Sequence, residues 1–187
     1  MTIRFLKPLA AIALATSACL AQATTIDFTG SISAGRTFSD AAGFDFNSTS
    51  LPVFGIPVGG QGSTRTSLVE LGGTTLTITS ASTPAFDLDG LQLADFLNVG
   101  VRNNVLLSWT FANGSTGSEL FKLDGKRGFQ NVPLPGQLDG LTSFSVSSLL
   151  GFQLDNLNVT AVPETGSLAL MLAGLGMLGV VARRRKV

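Results

Sequence analysis

The stretch SLVELGGTTLTIT (residues 67–79) decides the fold class. Thr74, Leu76 and Ile78 alternate with Thr75, Thr77 and Thr79. That period of two gives a half-buried strand, with one apolar and one polar face. Ser67 to Leu71 precede it across Gly72-Gly73, a dipeptide that predicts a two-residue hairpin. Further along, Val105-Leu106-Leu107-Ser108-Trp109-Thr110-Phe111 reads as a strand buried on both faces for part of its length, ending at the Asn113-Gly114 turn. Phe144-Ser145-Val146-Ser147 starts another strand. Ile26 and Phe28 flank Asp27 in a first one. Only Leu91 to Leu97 leaves room for one or two helical turns. Short strands evenly broken by turns predict an all-β body, a jelly-roll-like β-sandwich.

One internal echo refines this. Phe86-Asp87-Leu88-Asp89-Gly90-Leu91-Gln92-Leu93 parallels Phe152-Gln153-Leu154-Asp155-Asn156-Leu157-Asn158-Val159. In both, apolar residues hold the first and third positions and return at the sixth and eighth. The phase slips at Asp89-Gly90 and at Asp155-Asn156. A strand changes face only by taking up an extra residue, so each site should be a β-bulge or a sharp bend.

The two ends read as addresses. Arg4 and Lys7, an apolar run from Leu9 to Leu20, and the small residues Ala21 and Ala23 describe a secretory signal peptide over residues 1–23, cut after Ala23 by signal peptidase. The run is short for a span. A lipoprotein reading through Cys19 lacks the usual Leu three residues before it. At the other end, Gly166 to Ala182 is 17 residues without a charge, about 26 Å as a helix. That suffices for a thin bilayer. Arg183, Arg184, Arg185 and Lys186 follow and should act as a stop-transfer cluster on the cytoplasmic side. The expected organisation is therefore a signal peptide (1–23), a β-sandwich body (24–162) and a C-terminal segment (163–187) with a single transmembrane helix.

Val162, Pro163, Glu164 and Thr165, the Gly- and Leu-rich helix (166–182) and the basic tail (183–187) together resemble a PEP-CTERM sorting signal. Thr165 departs from the family, which usually has a second Pro there. GFQLDNLNVTAVPE (residues 151–164) is also similar to the strand that leads into the motif in many such proteins. The resemblance implies recognition by an exosortase, a membrane-embedded transpeptidase-like protease. It implies an exported protein that passes through an inner-membrane intermediate to the cell surface or medium. VPETG is also one residue from the LPxTG signal of sortases, so a sortase-anchored cell-wall protein is the rival. Val162 in place of Leu, and a helix that begins right at the motif, favour the exosortase.

The body offers little chemistry. The chain has no His and one Cys, which excludes Ser-His-Asp and Cys-His catalysis, imidazole zinc sites and an intrachain disulfide. Outside the sorting motif Glu occurs only as Glu70 and Glu119, and no facing carboxylate pair of the glycosidase kind is apparent. An enzyme is not expected. Six basic side chains against eleven acidic ones leave residues 24–162 near −5, which disfavours nucleic acid and anionic membrane as partners. No cofactor is expected beyond one candidate, a structural Ca²⁺ held between first and last strands by Asp27 and Asp155. Gly55 to Thr66 reads as a flexible loop. The function expected is a noncatalytic surface or biofilm-matrix protein in contact with exopolysaccharide. The alternative is a carbohydrate-binding module, although the body lacks Tyr and its one Trp, Trp109, sits in an apolar run. Ice binding would want a flat array of regularly spaced Thr, of which Thr74 to Thr79 is one short strand.

Overall fold

The computed structural model describes residues 23–28, 36–40, 42–49, 54–57, 66–162 and 174–178. Ala21, Pro163, Glu164, Thr165 and the Arg183–Lys186 cluster lie outside the described residues, as does the expected signal peptide except Ala23. Residues 174–178 form a short helix. No described helix is long and apolar enough to cross a membrane.

Ala23–Val162 is a compact unit separate from residues 1–22 and 163–187. It contains every described core residue, so it folds around a hydrophobic core of its own. Its strands are β1 (Ala23–Ile26), β2 (Thr37–Ser39), β3 (Phe44–Ser48), β4 (Phe54–Pro57), β5 (Thr66–Glu70), β6 (Thr74–Ser80), β7 (Ala85–Asp95), β8 (Asn104–Phe111), β9 (Thr116–Lys122), β10 (Gln130–Asn131), β11 (Leu138–Ser148) and β12 (Phe152–Val162). The all-β expectation holds. The twelve described strands join into one sheet rather than two separate ones.

That sheet curls at β11. Its first residues pair with β7, Leu138 with Leu88 and Leu141 with Phe86. Phe144 to Ser148 then lie between β6 and β8. Just before the change of partner, the register shift between Leu138 and Leu141 takes in Gly140, whose φ of 71° suits glycine. Its N–H donates to Asp87 Oδ1 at 2.7 Å and its carbonyl accepts from Ala112 N–H at 2.8 Å. One wing therefore runs β2-β3-β6-β11-β8-β9. The other runs β10-β7-β12, with β5-β4 and β1 sharing the far edge of β12. The wings face each other. Phe44 on β3 meets Phe86 on β7 edge to face at 5.4 Å, and Phe28 meets Phe46 at 5.5 Å. Phe144, Phe152, Leu93 and Leu141 are fully enclosed between them.

Four local expectations change. β5 and β6 are strands, but they do not pair across Gly72-Gly73. β5 pairs with β4 and β12, while β6 pairs with β3 and β11. The turn carries the chain from one wing to the other. It packs so closely on the β11–β12 turn that a Cβ on Gly72 would lie 2.3 Å from the Leu149 carbonyl oxygen. Leu91 to Asp95 continue β7 instead of forming helical turns, because Leu91 and Leu93 both point into the core. β8 is buried on one face only, and Leu106 on its outer face is exposed. Within the expected loop Gly55 to Thr66, Gly55 to Pro57 pair with β5. Residues 58–65 lie outside the described residues.

Candidate functional site

The body ends where the expected sorting segment begins. Ala161 and Val162 are still strand, paired with Phe86 and Ala85. Ala23 pairs with Thr160 on the opposite edge of β12. The chain thus enters and leaves the compact unit side by side. Of the expected motif residues, Val162 is half-buried at the end of β12. Of the two cleavage-site alanines, Ala23 opens β1.

The two echo segments prove to be direct neighbours. β7 and β12 pair in register from Phe152↔Asp95 to Asp155↔Gln92. Asn156 and Leu157 then face the single Leu91, and Asn158 pairs with Gly90. The next pair is Val159↔Leu88, which makes Asp89 the extra residue on β7. The two bulges compensate, and the register beyond them equals the register before. Asn156 takes φ 47°, a left-handed conformation that Asn tolerates better than most residues.

A shallow depression of about 260 Å³ lies over the twin bulges, lined by Asp89, Gln92, Asn131, Asn156 and Asn158 among others. Asn156 Nδ2 donates to Gln92 Oε1 at 2.7 Å, and Gln92 Nε2 donates to Asn131 Oδ1 at 2.8 Å. Beside this relay, Thr25 Oγ1 donates to Asn158 Oδ1 at 2.5 Å and Thr160 Oγ1 to Asp89 Oδ2 at 3.0 Å. Amides and hydroxyls on a strand face are donors and acceptors for a polyhydroxylated ligand.

The outer face of the first wing has the same chemistry on a larger scale. Register aligns Thr37, Asn47, Thr77, Ser145, Ser108 and Ser118 in one row across six strands. Asp45, Thr79, Thr110 and Thr116 belong to the same face. The single Thr strand legible in the sequence is therefore one column of a broad hydroxyl array. Thr77 and Ser145 hydroxyls lie 3.1 Å apart. Trp109 points the other way, into the core, and is 9% exposed. Its ring covers Gly117, where a Cβ would come within 2.5 Å of it.

The expected Ca²⁺ ligands are brought to one stretch. β1 ends with Ile26 paired to Leu157, so Asp27 directly follows the last pair of this edge and Asp155 stands two residues before Leu157 on β12. Asp155 is buried, and its Oδ1 accepts the Asn156 N–H at 2.8 Å. No cluster of three or more His, Cys, Asp or Glu occurs among the described residues. A cation here would draw most of its six to eight oxygens from backbone carbonyls.

The other carboxylates act locally. Glu70 is buried on β5 and accepts from Ser48 Oγ on β3, tying the wings. Glu119 is exposed on β9, opposite Leu107. The two Glu therefore sit on strands of different wings. Burial pushes the Asp87 carboxyl above its ordinary range. The Gly140 N–H opposes this, and the nearby Asp139 and Asp89 charges add to the rise. One residue escaped the sequence reading. Asp95 ends β7 and gathers the N–H groups of Val99, Gly100 and Val101 at 2.9–3.2 Å. An Asp followed closely by Asn98 and Gly100 is the available signal, since both take positive φ.

Among solved structures, a Family 16 Carbohydrate Binding Module-2 aligns at TM-score 0.33 and 17% identity, covering 57% of this chain and 84% of its own. The Family 11 Carbohydrate-Binding Module of cellulosomal cellulase Lic26A-Cel5E of Clostridium thermocellum aligns at 0.35 and 10%, covering 78% and 98%. The enzymatically active domain of Bacteriophage CBA120 tailspike protein 4 aligns at 0.32 and 16%, covering 70% and 21%. At TM-scores this low, none of the three carries weight for a ligand. No curated protein matches the chain. The C-terminal segment is different: residues 161–186 match the PEP-CTERM protein-sorting motif, so the chain carries the sorting signal whose first two matched residues are the last two of β12.

Proposed function

We propose that this chain is a noncatalytic exported protein of the cell surface or exopolysaccharide matrix, sorted by an exosortase through residues 163–187. The observation that carries the reading is the sorting-motif match, which begins inside β12 and leaves no linker between body and signal. In this reading signal peptidase removes residues 1–23. Residues 166–182 then span the inner membrane, and Arg183 to Lys186 hold that span while Pro163-Glu164 is presented to the protease. The body, a jelly-roll-like sandwich, is what reaches the surface. Tagging the body at both ends and fractionating an exosortase-encoding host tests this. Glu164→Ala should leave insertion intact and block processing. A Glu164→Ala chain processed as fast as the parent contradicts the reading.

A second reading, a carbohydrate-binding module, is favoured by the amide relay Asn131–Gln92–Asn156 and by the hydroxyl array. With no exposed aromatic side chain among the described residues for stacking, affinity would rest on hydrogen bonds, which are individually worth little against water. A glycan array separates the two, since the matrix reading expects no selective glycan. The array suits ice poorly, because normal sheet twist turns six strands through roughly 100°.

A further inference from the structure

Every large apolar side chain exposed on the described part of the compact unit lies at one end. Leu97, Val99 and Val101 occupy the β7–β8 connection. Leu149 and Leu150, 86% and 58% exposed, form the β11–β12 turn. Leu106 and Leu120 face each other across β8 and β9, two residue pairs from Asn104–Lys122. This is the end opposite Ala23 and Val162, about 33 Å away along the 11 residues of β12.

These loops are held in place. The Asp95 carboxylate fixes Val99 to Val101 through their N–H groups. Asn103 Nδ2 donates to the Gly151 carbonyl at 2.6 Å, and Ser148 Oγ donates to Asn103 Oδ1 at 2.9 Å. Gly128 N–H donates to Asn98 Oδ1 at 2.7 Å, and Leu123 N–H to the Asn103 carbonyl at 2.8 Å. Three connections are thereby stapled into one platform, and its leucines stay in water.

Charge divides along the same axis. Of the five cations among the described residues of the unit, Arg102, Lys122, Lys126 and Arg127 stand on this platform and only Arg36 lies elsewhere. A depression of about 710 Å³ is lined by Arg102, Lys122, Asp124, Leu149 and Leu150 among others. Asp124 pairs with Lys126 at 3.9 Å; Asp95 and Glu70 are buried at this end, and Glu119, next to Leu120 on β9, is the other exposed acid near it, so four cations stand against two exposed carboxylates. Asp45 and Asp87 sit at the opposite end, beside Thr79 and Thr160. That separation exceeds the Debye length of about 8 Å at physiological salt. The net negative charge that argues against an anionic membrane is therefore not what this end presents.

We propose that this end docks on an anionic lipid surface. Leu149, Leu150 and Leu97 enter the boundary between headgroups and acyl chains, and Arg102 and Lys122 take headgroup phosphates beside them. A bilayer offers phosphate above hydrocarbon in one place, which is the complement of leucines ringed by cations. A soluble polyanion would use the cations and leave the leucines idle.

The test is co-sedimentation of the unit 23–162 with phosphatidylcholine vesicles containing one third phosphatidylglycerol, against pure phosphatidylcholine. Binding should favour the anionic vesicles and weaken with salt. Leu149→Ser with Leu150→Ser should weaken it about tenfold or more, and Lys122→Gln about fivefold, both with an unchanged melting temperature. Leu97→Ser serves as the second apolar variant should the double change unfold the turn. Absence of binding at low salt overturns the proposal. So does binding that the leucine variants leave intact and dextran sulfate abolishes, which marks a polyanion site. A dimer broken by the leucine changes, with no vesicle binding, also overturns it and marks a self-interface.

Discussion

The two wings of the sheet are built from similar strands but handle register differently. In the wing β2-β3-β6-β11-β8-β9, the Thr and Ser columns alternate without interruption from Phe144 to Ser148, and the outer face becomes a broad hydroxyl surface that gives way to Leu106 and Leu120 at one end. In the wing around β7 and β12, both long strands slip once, at Asp89 and at Asn156, and the slips cancel. An uninterrupted period of two makes a uniform face. A matched pair of bulges keeps both strand ends in register while giving the middle a local patch of Asn, Gln and Asp. The same fold thus carries one extended polar surface and one focused one.

The contrast breaks most readily at the strand the two wings share. Phe144 is fully enclosed on β11, and Phe144→Ala should cost about 3–5 kcal/mol, seen as a large fall in the urea midpoint with both wings lost in one transition. Separate transitions for the two wings would show that β11 does not couple them. Gly140→Ala tests the corner itself. At φ 71° a Cβ should cost about 1–2 kcal/mol and leave the bulged wing's exchange protection less affected than the other's.

A smaller effect comes from Asp87. Burial raises its pKa in the folded protein above the ordinary 3.8, so the folded state binds this proton more tightly than the unfolded one. Stability should then rise as pH falls through the folded value towards 3.8, and be lost as pH rises above it. Asp87→Asn keeps an oxygen for the Gly140 N–H. It should melt higher than the parent at neutral pH, with the gap closing in acid. A gap that widens in acid would reverse the sign assigned here. The smallest effect expected is that of a chelator. Among the described residues no group of three or more carboxylates gathers, so EDTA should leave the melting temperature of the unit unchanged. A large drop would reveal a bound cation, because a ligand held only by the native state raises stability by mass action.

Much of this was legible in particular residues. Thr74 to Thr79 show their two faces directly, and the phase slips at Asp89-Gly90 and Asp155-Asn156 mark the bulges. What periodicity could not show is partnership. Gly72-Gly73 announces a turn, yet a turn does not say whether the strands on its two sides pair. Here the longer β11 and β12 claimed them. The platform of Leu97, Val101, Leu149 and Arg102 was invisible because its members sit in connections with no period, brought together by Asp95 and Asn103. The sorting segment was legible for the opposite reason. Its chemistry is linear, with a motif, an apolar run and a basic cluster in chain order, and no tertiary contact is needed to read it.

That linearity makes the tail the most direct place to test the account. Each charge costs roughly 2.5–3.5 kcal/mol at the centre of a span, so Arg183, Arg184, Arg185 and Lys186 together should fix the depth at which Pro163-Glu164 meets the protease. The decisive measurement is the size and fraction of a doubly tagged body when all four are replaced by Ser. The account predicts a chain that keeps its tail and is not released to the surface. Processing as complete as the parent's would contradict it.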